Sequence, residues 1–334
     1  MSVPRELIDT LAAAGFPVIA GHVTPDLDSL GAMLALARSL PSSEAAIVLP
    51  VPLESQRLLF LMELSNGVPI ADPERVGRAD VVVIVDTAST KRVNVAGHWE
   101  AIADKLIVNI DHHTTNPDFG SINWVEDNAS STCELVWRLI RAAGWKLDPV
   151  TAGLLYAGIY SDTAGFSLPS TTADCLDAAA DLVRSGADVD RIGCRIARSQ
   201  ERHEFDLIRK VYHNTHVVAE GRIAYSTLTY EEIASCGCSP QDIDDQVSIP
   251  RSLSGIRMAL LFSEGEKGVI RINLRGEPGT PVLPLAEKLG GGGHAYSAGV
   301  RIRGAMGDVV SRVLTEACEM LRAQDQGVFS LGAG

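Results

Sequence analysis

Three apolar runs in this chain each end on side chains that bind cations. Val18-Ile19-Ala20-Gly21 runs into His22, with Asp26 and Asp28 in the turn beyond it. Val81 to Val85 ends on Asp86, and Leu106 to Ile110 ends on Asp111-His112-His113. Asp162, in Tyr160-Ser161-Asp162-Thr163, completes a set of five carboxylates and three imidazoles. Gathered without cations, these carboxylates would repel one another, and some would have to stay protonated. Divalent ions remove that penalty, and mixed imidazole and carboxylate ligation suits a transition metal such as Mn2+ better than an all-oxygen cage. His22-x-x-x-Asp26-x-Asp28 puts three donors on one turn, close enough to serve two adjacent cations, and Asp86 stands where it could bridge them. Two ions about 3.5–4 Å apart can hold a hydroxide nucleophile and stabilise phosphate oxygens during in-line attack. This is the chemistry of phosphoester hydrolysis.

A second constellation is Gly290-Gly291-Gly292-Gly293-His294. Four consecutive glycines destabilise a regular element, so the run is expected to be a loop that brings backbone close to a ligand. Its N–H groups would form an anion-binding nest. Arg251, Arg257, Arg271, Arg275, Arg301 and Arg303 lie in the same part of a chain whose net charge is −13, a local basic surplus that suggests a phosphate-receiving surface. Ser131-Thr132-Cys133-Glu134 has capping-box spacing. Ser131 therefore reads as a helix cap and also as a phosphate contact at the same helix N-terminus, and both readings stay open. The six cysteines show no paired CxxC spacing, which fits reduced thiols.

For these residues to converge, the strands that carry them must be parallel neighbours, because ligands of open α/β sheets bind beyond the carboxyl ends of the strands. The pattern supports this. Strand-like runs at Val18–Gly21, Ala46–Leu49, Val81–Val85 and Leu106–Ile110 alternate with helical segments at Arg5–Ala14, Ser29–Leu40, Glu54–Leu64 and within Val93–Lys105. Such alternation implies a parallel, Rossmann-like sheet with right-handed crossovers. Further helices are expected from Ser131 to Ala143, from Thr151 to Ile159 (delivering Asp162), and from Thr171 to Ser185. A helical connection follows over Val189–Val211. Beyond it, short strand-like runs at Val217-Val218, Ile223–Leu228, Met258–Phe262, Val269–Leu274 and Ala298–Ile302, with helices at Pro284–Leu289 and Gly307–Ala323, read as a smaller α+β domain. The fold class is α/β in the first part and α+β in the second. A length of 334 residues favours two domains, with expected bounds of 1–188, a connecting segment 189–213, and 214–334.

The acidic balance argues against a coat protein for long nucleic acid, which would carry a basic face. No apolar stretch approaches the roughly 18 residues of a membrane span. Arg5 and Glu6 precede a short amphipathic segment rather than a signal-peptide core. These features read as a soluble, cytoplasmic protein without a membrane partner.

Asp111-His112-His113, with His22, Asp26, Asp28 and Asp86 upstream and Asp162 downstream, resembles the DHH phosphoesterase superfamily. Gly290 to His294 followed by Ala298-Gly299 resembles its associated C-terminal substrate-binding domain. The resemblance covers nearly the whole chain, and the compact length is similar to the nanoRNase and pAp-phosphatase group rather than to the longer RecJ-type exonucleases. It implies a DHH domain bearing two divalent ions, Mn2+ preferred with Mg2+ or Co2+ as substitutes. The implied substrates are short oligoribonucleotides attacked from an end and 3′-phosphoadenosine 5′-phosphate (pAp). It further implies that His22, Asp26 and Asp86 bind one ion, while Asp28, Asp86, His112 and Asp162 bind the other. Asp111 would orient an imidazole, and His113 would contact the scissile phosphate or assist the leaving oxygen. Arg275, with Gly291, Gly292, Gly293 and His294, would bind substrate phosphate. The chain departs from the family's Ser-x-Arg-Ser pattern at Asn273-Leu274-Arg275-Gly276, and from its small residue pair at Ala295-Tyr296-Ser297, which bears on substrate preference. The alternatives are a phosphodiesterase for linear or cyclic dinucleotides, a polyphosphate hydrolase, and a nucleotide-binding sensor, which would be expected to lack some of these ligands. A homodimer is compatible with this organisation.

Overall fold

The computed structural model describes residues 2–49, 53, 55–93, 102, 104–197, 202–238, 243 and 246–325. Most of the helix expected within Val93–Lys105, residue 54, and residues 198–201 of the connecting segment lie outside them. Contacts divide the chain into two units, Met1–Ser199 and Gln200–Gly334.

In the first unit the order is α1 (Arg5–Ala13), β1 (Pro17–Ala20), α2 (Leu27–Ser39), β2 (Ala46–Val48), α3 (Gln56–Leu64), α4 (Pro73–Arg78), β3 (Val81–Val85), β4 (Leu106–Asp111), β5 (Ile122–Val125), α5 (Thr132–Ala143), α6 (Pro149–Asp162), α7 (Ala173–Arg184) and α8 (Val189–Ala197). The sheet runs β2-β1-β3-β4-β5, parallel throughout. β1, β3 and β4 are neighbours as expected, so the residues that follow them share one edge. Their runs are apolar but for the buried Asn109 of β4, because both faces of a parallel sheet are covered. Ile19, Val83 and Val108 join the core of α2, α5 and α6 on one side. Val18, Val82 and Ile107 pack with Ala71, Val76 and Ala79 on the other. β5 was not anticipated: it is a four-residue edge strand with Asn123 in its middle, too short and too mixed to carry a period.

α6 is buried along most of its length, from Thr151 to Ile159, and packs chiefly on α2 and α7. Asp148 caps its N-terminus by accepting from Thr151 N at 2.8 Å, with Pro149 in the first turn. Gly158 lets α6 approach α5 closely. A Cβ there would lie 2.3 Å from Cys133 Sγ and 2.8 Å from Asp28 Oδ1.

The second unit contains α9 (Arg202–His213), β6 (Thr215–Val218), β7 (Ile223–Leu228), α10 (Tyr230–Cys236), α11 (Ser248–Arg251), β8 (Met258–Glu266), β9 (Val269–Gly276), α12 (Leu283–Lys288), β10 (Gly292–His294), β11 (Ser297–Arg303) and α13 (Met306–Asp325). Its sheet runs β10-β11-β9-β8-β7-β6, antiparallel except for the β7–β8 pair. Leu260, Phe262, Ile272, Leu274 and Val300 face α12 and α13 in one core. Ala224, Ala259 and Leu261 meet α9, α10 and α11 in another.

The glycine run is partly strand where a loop was expected. Gly292 to His294 form strand β10, paired with β11 through Gly292↔Gly299 and His294↔Ser297. The close approach these glycines permit is to the chain itself. A Cβ on Gly291 would lie 2.2 Å from Gly299 O, and one on Gly293 would lie 2.5 Å from Ser297 O.

Candidate metal centre

The residues that follow β1, β3 and β4 meet as the sheet order requires. His22 is buried directly beyond β1, and Asp26 caps α2 by accepting from Ser29 N at 2.9 Å. Asp86 follows β3 in the left-handed region at φ 56°. A non-glycine residue held there costs about 1–3 kcal/mol, a type of strain that clusters at functional sites. Asp162 closes α6.

The two oxygens of Asp86 face different imidazoles. Oδ2 lies 3.6 Å from His22 Nε2, and Oδ1 lies 3.5 Å from His112 Nε2. His22 Nε2 is also 3.8 Å from Asp26 Oδ2, and His112 Nε2 is 3.5 Å from Asp162 Oδ2. Three groupings therefore have donor atoms within 4.8 Å of one another: His22/Asp26/Asp86, Asp28/His112/Asp162 and Asp86/His112/His113. Separations of 3.5–3.8 Å are too long for hydrogen bonds. They suit donors sharing an ion, since two ligands each about 2.1 Å from a cation and about 110° apart are about 3.4 Å from one another.

Asp28, fully buried, is fixed by the first turn of α5. Its Oδ2 accepts from Thr132 N at 2.7 Å and its Oδ1 from Cys133 N at 2.8 Å. The anion received at this helix N-terminus is thus the chain's own carboxylate. That corrects the phosphate-contact reading of Ser131, which is fully buried with its hydroxyl accepting from Glu134 N at 3.1 Å. Only the reciprocal half of the capping box is shifted by one residue: Glu134 Oε2 accepts from Ser130 N at 2.8 Å and Ser130 Oγ at 2.6 Å. Arg138 bonds Glu134 and, at 3.0 Å, Glu126, which itself accepts from Trp124 Nε1 at 2.9 Å.

The charges in this cluster are out of balance. Burial, and then the charges of Asp28, Asp26 and Asp86, push Asp162 up to about 9. Burial and Asp86 push Asp28 up to about 7. Burial works against ionised Asp86, but the facing His112 and His22 imidazoles outweigh it and hold the carboxyl down to about 2. His112 is drawn down by burial yet ends up at about 10, because Asp86, Asp28 and Asp162 surround it. The protein alone supplies too little positive charge for its carboxylates, which is the condition a divalent ion meets.

Asp111 and His113, the latter also in the third of these groupings, make a separate contact. Asp111 is buried, accepts from His112 N at 2.9 Å and from Asn116 Nδ2 at 2.6 Å, and lies 2.7 Å from His113 Nδ1. This contact raises the pKa of His113. His113 borders a cavity of about 550 Å3 that Thr114, Asn116, Asp118, Asn123, Val125 and Asp127 also line. Two neighbours of the cluster were not singled out from sequence: Thr132, and Arg92, whose guanidinium is 3.3 Å from His22 Nδ1. Neither carries a motif, because only the folded arrangement brings them to the ligands.

In the second unit, Arg275 lies on β9 opposite Ser297, half-buried, and donates to Leu274 O at 3.0 Å. Strand alternation turns Arg271 and Arg275, with Arg301 and Arg303 of β11, to the face opposite α12 and α13. His294 is exposed on β10. The expected basic surface is narrower than the sequence suggested. Arg251 pairs with Glu277 at 2.6 Å and Arg257 with Asp325 at 2.5 Å.

The family described as "DHH family, N-terminal domain" matches residues 18–159, which take in every candidate ligand except Asp162. The chain is 29% identical over 322 residues to the "Bifunctional oligoribonuclease and PAP phosphatase NrnA" of Thermus thermophilus, covering 95% of this chain and 94% of that one. It is 30% identical over 301 residues to the protein of the same name from Mycoplasma genitalium, covering 88% and 91%. A solved "exopolyphosphatase-related protein" from Bacteroides fragilis superposes with a TM-score of 0.83 at 27% identity, over 97% of this chain and 98% of that one. With relatives this similar along nearly their whole length, and a domain match that spans the edge where the metal groups gather, the chain belongs to the DHH family.

Proposed function

We propose that the protein is a cytoplasmic phosphoesterase dependent on two divalent ions, Mn2+ preferred and Mg2+ or Co2+ able to substitute, that hydrolyses short oligoribonucleotides and pAp. The observation that carries this reading is Asp86. One of its oxygens faces His22 and the other faces His112, as a carboxylate shared between two ions would. The relatives named for oligoribonuclease and PAP phosphatase activity favour the substrates. His22, Asp26 and Asp86 would hold one ion, and Asp28, Asp86, His112 and Asp162 the other. When bound, such ions polarise phosphate oxygens and acidify water. The rest falls to the chain. His113, whose pKa the Asp111 contact raises, binds the phosphate or gives a proton to the leaving oxygen. Arg275, His294 and the Gly291 to Gly293 backbone bind substrate phosphate, with Arg271, Arg301 and Arg303 on the same sheet.

The test is release of phosphate and mononucleotide by purified protein with Mn2+, from pAp, a 5′-phosphorylated oligoribonucleotide, a cyclic dinucleotide and polyphosphate in parallel, with a chelated control. Chelator-sensitive turnover of the first two, abolished by Asp86→Ala, is the expected result. Turnover confined to polyphosphate or the cyclic dinucleotide would replace the substrate assignment. Substantial turnover by the Asp86→Ala variant would refute the shared-ligand role.

A further inference from the structure

We infer that Thr132 is a positioning residue that ties the two metal groups to one another, an inference that rests on the two-ion reading above. Thr132 is fully buried at the first position of α5. Its N–H donates to Asp28 Oδ2 at 2.7 Å, and its hydroxyl donates to Asp86 Oδ1 at 3.1 Å. One residue thus holds a carboxylate of the Asp28/His112/Asp162 group and the carboxylate shared with His22 and Asp26.

The Asp86 contact matters because an aspartate's terminal torsion is broad and only weakly confined by rotamer preference. Asp86 must keep Oδ2 toward His22 and Oδ1 toward His112 at once. A hydroxyl fixed on Oδ1 removes that rotation and leaves the other lone pairs of the carboxylate directed at the ligand groups. Threonine's branched Cβ narrows χ1 to a few settings, and its burial with the Asp86 contact fixes the one used here. The helix itself is held: Glu134 receives both the N–H and the hydroxyl of Ser130, and Arg138 links Glu134 to Glu126. Through Thr132, any shift of α5 reaches both groups together.

The test is calorimetric titration of the metal-free full chain with Mn2+, compared among wild type, Thr132→Val and Thr132→Ser. Valine keeps the shape and the backbone N–H but loses the hydroxyl, whereas serine keeps the hydroxyl. Wild type should take up two ions. Thr132→Val should bind about 10–100-fold more weakly, the usual loss when a residue that orients a metal ligand is changed, and Thr132→Ser should recover most of the affinity. If valine impairs folding, as judged by unfolding in chelator, Thr132→Ala provides the same comparison. A merely structural role would lower the unfolding temperature in chelator and leave the Mn2+ affinity of the folded protein unchanged. That result, or a serine variant as weak as valine, would overturn the inference. A wild-type chain that binds fewer than two ions would instead overturn the two-ion reading, and this inference with it.

Discussion

Gly158→Ala tests how tightly the packing behind the metal centre constrains it. The added Cβ would lie 2.3 Å from Cys133 Sγ and 2.8 Å from Asp28 Oδ1. Carbon contacts settle at about 3.5–4.0 Å, so the sulfur must retreat by more than about 1 Å and the carboxylate by about half that or more. Asp28 cannot swing aside alone, because both of its oxygens are bonded to α5 amides. Overpacking of this kind costs about 1–3 kcal/mol, while replacing a mid-helix glycine with alanine returns about 1 kcal/mol. The net loss of stability is therefore small, about 0–2 kcal/mol. The effect on metal binding should be disproportionate, about 10–100-fold, because a proposed ligand has moved. All four tryptophans fall within residues 1–199, so their fluorescence during urea unfolding in chelator reports on the unit that holds the centre. Mn2+ calorimetry gives the affinity. Adding Cys133→Ala removes the sulfur overlap and leaves the overlap with Asp28. Stability should then recover while affinity does not. Wild-type Mn2+ affinity in Gly158→Ala, or recovery of both properties in the double variant, would refute the reasoning.

Asp148→Ala should cost about 2–3 kcal/mol, the sum of a lost helix cap and a charge-assisted bond from Arg38 at 2.8 Å. Burial opposes ionisation of Asp148, but the Thr151 amide and hydroxyl, with Arg38, hold its pKa down to about 2. Its contribution should therefore be present above pH ~4 and lost as pH falls toward ~2, a difference measurable by urea unfolding at several pH values. On the proposed two-ion reading, Asp111→Asn should cut turnover of pAp at least about tenfold while Mn2+ stoichiometry in calorimetry stays at two, because Asp111 contacts His113; loss of an ion would reassign it as a ligand. In chelator, wild-type stability should fall as pH rises from ~4 to ~9. Asp162 is raised to about 9 and Asp28 to about 7, so over that range the folded chain binds more protons than the unfolded one. Asp162→Asn should remove much of that slope in thermal unfolding, and an unchanged slope would place the strain elsewhere.

Much of the first unit was legible because burial on both sheet faces leaves largely apolar runs, and those of β1, β3 and β4 point at their own candidate ligands. β5 and α4 were not, being four and six residues long. α10 carries a local signal in Thr229 and Glu232, which form a full capping box. The glycine run was recognised as a place of close approach, but its partner, β11, was visible only in the fold. The pairing of Arg257 with Asp325 was hidden for a similar reason, since the two residues are 68 positions apart. Ser131 shows the limit of motif reading. Its capping role follows from local sequence, whereas the use of the adjacent amides depends on Asp28, more than 100 residues away.

The unbalanced charge around Asp28, Asp86 and Asp162 also bears on the lifetime of the protein in a cell. A chain that lacks its ions keeps the repulsion and opens more often, and degradation follows the open population when reclosing is fast. A chain that has taken up ions gains stability in proportion to the logarithm of their concentration over the dissociation constant. On the proposed assignment of manganese, its supply should then set how much of the protein persists as well as how much is active. Pulse-chase half-lives under manganese limitation would show this as faster loss of wild type than of Asp162→Asn. Equal half-lives would mean that the unloaded chain is already stable enough to escape removal.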